Sequence, residues 1–109
     1  MDRTRPFLLL RARVAIDARL EFSKWFREVH QKTVASIPGI LATVSGSTPG
    51  GTRLAVYTFE SAEVVQSALS SPQAAYARGT WERWQPVLEE LQIEIWAALV
   101  PTPGTLRVN

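Results

Sequence analysis

Apolar residues follow two rhythms along the chain. Between Phe7 and Ile16 they step by twos: Leu8, Leu10, Ala12, Val14 and Ile16 form one set against Phe7, Leu9, Arg11, Arg13 and Ala15, the mark of a strand with one wholly apolar face. From Asp17 the step lengthens to three and four. Phe22, Phe26, Val29, Thr33 and Ile37 make an apolar stripe, with Glu21, Lys24, Glu28, Gln31 and Lys32 largely opposite, so this stretch reads as an amphipathic helix of about five turns. Asp17 is placed to cap it, Glu21 adds negative charge near the positive end of its dipole, and Pro38-Gly39 stops it.

Ile40–Ser45 and Arg53–Phe59 return to strand character on either side of a turn-rich SGSTPGGT, and together predict a hairpin. Ser61 opens a short helix carrying Val64, Val65, Ala68 and Leu69. Ser71-Pro72 starts another, with proline where a first turn tolerates it, and Gly79-Thr80 breaks it. TWERWQPVLEEL then sets Trp81, Trp84, Val87, Leu88 and Leu91 at helical spacing, with Pro86 forcing a kink or a new first turn. Gln92–Val100 predicts the last strand. Residues 1–6 form a loose lead-in and 101–109 a tail or arm, leaving a single domain with a core over about 7–100.

The order β-α-β-β-α-β is the split βαβ, ferredoxin-like arrangement: an α+β fold with a four-stranded antiparallel sheet and helices on one face. The opposite strand faces still carry Phe7, Leu9, Tyr57, Phe59, Trp96 and Val100. Each such side chain gains about 1.5–3 kcal/mol on burial, and an open face of this size exceeds what monomers tolerate, so a second copy packed sheet to sheet is expected. The first and last strands are neighbours in this topology, placing Arg11 and Arg13 on one face with Gln92 and Glu94. The expected dimer interface is thus Phe7, Leu9, Arg11, Arg13, Phe59, Glu94 and Trp96, with Glu94 paired to an arginine inside it; polar strand ends in solvent are the plainer alternative.

Composition narrows the chemistry. The 109 residues suffice for one core that buries roughly two-thirds of the unfolded surface. With no cysteine, disulfides, thiol catalysis and thiolate metal sites are excluded. No signal-like N-terminus or long apolar run occurs, so a cytoplasmic protein without membrane contact is expected. Twelve Lys and Arg against ten Asp and Glu give a net charge of +2, weak support for a polyanion partner. RLAVYTF resembles the aromatic strand of RNA-binding modules of the same strand order, but it lacks their glycine-flanked aromatic, the first helix is too long, and the sheet face they expose is already needed for dimerisation. No nucleic-acid partner is expected.

His30, the single histidine, lies four residues after Phe26 at the edge of the apolar stripe, bordering whatever cleft forms beneath the helix. An imidazole there suits general acid–base work, since its reference pKa is about 6.5, and His30 is the candidate catalytic residue; the competing reading is a hydrogen-bonded structural histidine. Tyr57, Trp81 and Trp84, with Phe26 and Trp25, are candidates to line an aromatic ligand pocket, against the plainer reading of core filling. One histidine and scattered carboxylates make no metal site. Haem on His30 is conceivable, yet no cofactor is expected. No G-x-S-x-G elbow points to a nucleophilic serine.

EFSKWFREVHQKTVASIPGI resembles the E-F-x-x-W-[YF]-x-E-x-H-x-x-x-x-x-x-x-P-G motif of the dimeric α+β barrel superfamily, as in EthD-like proteins, with Phe22, Trp25, Phe26, Glu28, His30, Pro38 and Gly39 matching in place. SSPQAAYARGTWERWQPVLEEL is similar to the region preceding those relatives' last strand, so the likeness spans roughly residues 7–100. Many relatives carry a proline about two residues after the histidine, where this chain has Lys32 and Thr33. The resemblance implies a homodimer with a cavity between sheet and helices, in a superfamily that spans cofactor-independent oxygenases, cyclases, isomerases and haem-degrading enzymes, so it selects no reaction. Two functions follow: a pocket for a small aromatic or polyketide-like molecule with cofactor-independent proton transfer at His30, or a non-catalytic dimeric binding or assembly module whose His30 is structural.

Overall fold

The computed structural model describes residues 5–97. β1 (Phe7–Val14) leads through a 3-10 turn (Ile16–Ala18) into α1 (Arg19–Trp25), a π-helical turn (Phe26–His30) and α2 (Gln31–Ala35). β2 (Ile40–Ser47) and β3 (Arg53–Phe59) form the hairpin. A 3-10 turn (Ala62–Val64), α3 (Val65–Leu69), α4 (Pro72–Gly79) and a 3-10 segment (Thr80–Val87) lead to β4 (Leu88–Trp96). The four strands lie in the order β2-β3-β1-β4, all neighbours antiparallel, which is the expected ferredoxin-like α+β sheet.

Cross-strand pairing assigns the faces. Leu8 sits opposite Tyr57 and Ile95, Leu10 opposite Ala55 and Ile93, and Ala12 opposite Leu91, so these side chains share the face beneath the helices. Phe7, Leu9 and Arg11 point the other way, opposite Thr58, Val56 and Leu54 on one side and Trp96, Glu94 and Gln92 on the other. Phe7 and Trp96 stack there with centroids 6.3 Å apart and planes 7° from parallel.

Two aromatic residues change sides relative to expectation. Tyr57 and Phe59 belong to the helix-covered face and are 4% and 0% exposed, so Phe59 is no part of the helix-free face. Both alternate sets of β3 are apolar enough to be buried, and only the register against β1 separates them. Leu54 and Val56 take that outer place. Val100 lies outside the described residues.

β4 begins four residues before its expected start. Pro86 cannot donate to a continuing helix, and Leu88 is already extended at φ −77°, ψ 119°, so LEEL joins the sheet. Pairing shifts between Val14–Leu88 and Arg13–Glu90, leaving Glu89 as an extra residue on β4. That shift lets Leu88 pack against the core although Leu91, three residues on, also faces the helices.

Three local expectations need correction. Asp17 sits within the 3-10 turn, whose entry residue is Ala15, and its carboxylate caps nothing. Ser61 precedes its 3-10 turn without a side-chain capping bond. Glu94 pairs with neither arginine within the subunit: its carboxylate accepts from Trp96 Nε1 at 3.1 Å, while Arg11 meets Glu90 at 3.8 Å and Arg13 meets Glu89 at 3.6 Å, because those acids stand nearer along β4. Two other signals hold. Ser71 accepts from the Ala74 amide at 3.1 Å with Pro72 at the start of α4, and Gly39 takes φ +96° after the long helical run.

Candidate active site

The site is built from the helical run's buried stripe. Phe22, Phe26, His30 and Val34 recur every four residues and are all buried, whereas Val29, expected in the stripe, is 40% exposed. In a regular α-helix a spacing of four drifts by about 40° per step, so such a stripe winds off its face. The wider π turn at Phe26–His30 takes up that drift and keeps His30 over the sheet.

His30 is 2% exposed among aromatic rings. Trp25 stacks on it at 5.3 Å, Phe26 lies 4.7 Å away and Trp81 meets it edge-on at 5.2 Å. Its Nε2 is 2.6 Å from Tyr57 Oη across the α-β interface. Nδ1 is buried with no partner. A bare ring nitrogen is a cheaper orphan than a bare N–H, so the favoured tautomer carries its proton on Nε2 and donates to Tyr57. The Tyr57 hydroxyl hydrogen is then free to donate elsewhere.

Burial sets the charge states. It lowers the His30 pKa from 6.5 to about 4, because an imidazolium in this apolar setting loses its hydration, and the same desolvation raises that of Tyr57. At neutral pH both groups are uncharged.

Between helices and sheet lies a cavity of about 500 Å³ into which His30 and Tyr57 bring the polar spot. It exists because α3 and α4 turn small residues, Ala68, Ala74 and Ala77, toward the sheet. Leu8, Leu10 and Phe59 line the sheet side. The exposed members of its lining are Arg78 and Gln85 on the helical side and Leu91, Ile93 and Ile95 on β4, which puts the mouth between those two lips.

Of the expected lining residues, Tyr57 and Trp81 border the cavity with His30. Phe26 and Trp84 do not. Phe26 is 0% exposed behind His30 with Arg53 over its ring at 5.1 Å, and Trp84 packs edge-on against Phe22 at 5.1 Å, so both are core. Trp25 is core as well, though it supports the imidazole. Arg78, Gln85 and the β4 row were not foreseen; the alanines of PQAAYARG, too small to fill the space over a sheet, were the readable sign. Among the described residues no group of three or more His, Cys, Asp or Glu could hold a metal, and no helix is long and apolar enough to cross a membrane.

No family model and no curated protein matches the chain. Solved structures do. An EthD-family protein from Bacillus halodurans is similar at a TM-score of 0.63 and 14% identity, over 82% of this chain and 96% of its own. An antibiotic biosynthesis monooxygenase-like protein from Deinococcus radiodurans gives 0.67 and 12%, over 89% and 95%. SnoaB from Streptomyces nogalater, described as a cofactor-independent oxygenase, gives 0.66 and 15%, over 90% and 96%. The chain thus shares the α+β fold of EthD-like and antibiotic biosynthesis monooxygenase-like proteins.

Proposed function

We propose that the cavity binds a small aromatic or polyketide-like molecule and that His30 and Tyr57 give it cofactor-independent acid–base chemistry. The observation that carries this reading is the 2.6 Å His30–Tyr57 contact in a cavity whose other lining residues, Arg78 and Gln85 at the mouth apart, are apolar. A weakly acidic ligand offers its O–H to Tyr57 Oη while Tyr57 passes its own proton to Nε2 of the alternative imidazole tautomer. The products are a ligand oxyanion hydrogen-bonded to Tyr57 and an imidazolium. That imidazolium is unfavourable in the empty cavity, and the adjacent anion offsets its cost. SnoaB, of like fold, is described as an oxygenase working without a cofactor, which agrees with such a site.

The same reading makes the protein a homodimer through the sheet face carrying Phe7, Leu9, Val56 and Trp96, where half-exposed apolar side chains have no helix to cover them.

The test uses 2-naphthol, whose C1 hydrogen exchanges for deuterium through its oxyanion. Wild type is expected to bind it by native mass spectrometry and to accelerate exchange followed by NMR. His30→Asn and Tyr57→Phe should lower that rate about 10²-fold while binding changes little, the usual scale of a lost acid–base group. Binding with no acceleration, in wild type as in the variants, would leave a non-catalytic dimeric binding or assembly module with a structural His30.

A further inference from the structure

We infer that the cavity takes an acid: a ligand with an apolar body and one anionic group, held at the mouth by Arg78. This rests on the cavity being a ligand site, and adds which chemistry it selects.

Among the described lining residues Arg78 is the one that carries a charge at neutral pH, His30 being neutral there. It projects from the last turn of α4 and its Nη1 donates to the Leu69 carbonyl at 3.1 Å, which fixes one arm of the guanidinium against the end of α3. A guanidinium has five N–H donors in a planar fork, so the others stay available. Arg78 makes no ion pair among the described residues, unlike Arg11 and Arg13, which each meet a glutamate. A cation left uncompensated on the lip of an apolar cavity, with one arm already ordered, is prepared for a carboxylate or phenolate.

The lips differ in kind. Across from Arg78 and Gln85 stand Leu91, Ile93 and Ile95, at 37%, 52% and 45% exposure, an apolar row facing the cavity. A molecule lying in the mouth therefore meets a cation and an amide on one side and hydrocarbon on the other, with its inner end toward Tyr57 and His30. One cation calls for one negative charge. A polyphosphate or a nucleotide would leave most of its charge facing apolar walls.

The probes are 2-naphthoate and 2-naphthalenemethanol, which share a ring system and differ in charge, titrated against the full chain by quenching of tryptophan fluorescence; Trp81 lies at the cavity. Wild type is expected to bind the acid at least tenfold more tightly than the alcohol, and the preference should shrink with added salt. Arg78→Gln should abolish the preference and leave the alcohol's affinity within about twofold, while Arg27→Gln, outside the cavity, should keep it. Melting curves check that each variant is folded. Equal affinities in wild type, or a preference that survives Arg78→Gln, would overturn the assignment of Arg78 while leaving the cavity a ligand site. Failure of both probes to bind would overturn it together with the ligand-site reading.

Discussion

At the scale of single residues the decisive fact is a neutral histidine buried among aromatic rings. The folded state holds His30 near pKa 4, whereas the unfolded chain binds its proton near 6.5. Between those values the unfolded state carries more protons, so stability rises with pH across that window and is lost as pH falls through it. The ceiling is about 3 kcal/mol, at roughly 1.4 kcal/mol per pH unit. Thermal melts of wild type should therefore fall between pH 6.5 and 4, and His30→Gln should flatten that part of the profile; an unchanged profile would mean that the imidazole is solvated. The sequence made His30 visible, as a lone titratable group on the margin of an apolar stripe. Tyr57 as its partner was hidden, because the two residues are 27 positions apart and on different elements. Arg78 was hidden differently: nothing local separates a rim arginine from any other surface arginine.

Among the elements, the long helical run and the hairpin were legible because their signals are local. Gly39 shows how local. At φ +96° it occupies the region that disfavours a β-carbon, and an added Cβ would come within 3.1 Å of Val64 Cγ2. Gly39→Ala should cost about 1–2 kcal/mol in a denaturant titration, with the slope unchanged. The π turn was not legible, since a spacing of four fits an α-helix for two turns and betrays itself only over three. Nor was the start of β4, where TWERWQPVLEEL keeps helical periodicity up to the point at which Pro86 ends it. The parity of β3 failed for a third reason: alternation says that two faces exist and leaves open which one is covered.

For the whole molecule the question is the sheet's helix-free side. Leu9 stands mid-strand there, between Val56 and Glu94. Leu9→Asp places a charge where the proposed partner packs, and should convert a dimer to a monomer by sedimentation velocity at micromolar concentration. A wild-type monomer would remove the dimer from the reading without touching the cavity, which is lined from within one subunit.

The extra residue at Glu89 has a last consequence. Downstream of it, even and odd positions of β4 are sorted, with Leu91, Ile93 and Ile95 toward the cavity and Glu90, Gln92 and Glu94 away. Losing that one amino acid would leave Leu88 two positions from Leu91, in plain alternation with Ile93 and Ile95 and on the same side of the ribbon. The lip would keep its hydrocarbon and lose the local bend and extra twist that the additional residue gives the strand, which changes the angle at which that row meets Arg78 and Gln85. A single in-frame codon thus sets the shape of the entrance and leaves its lining as it is.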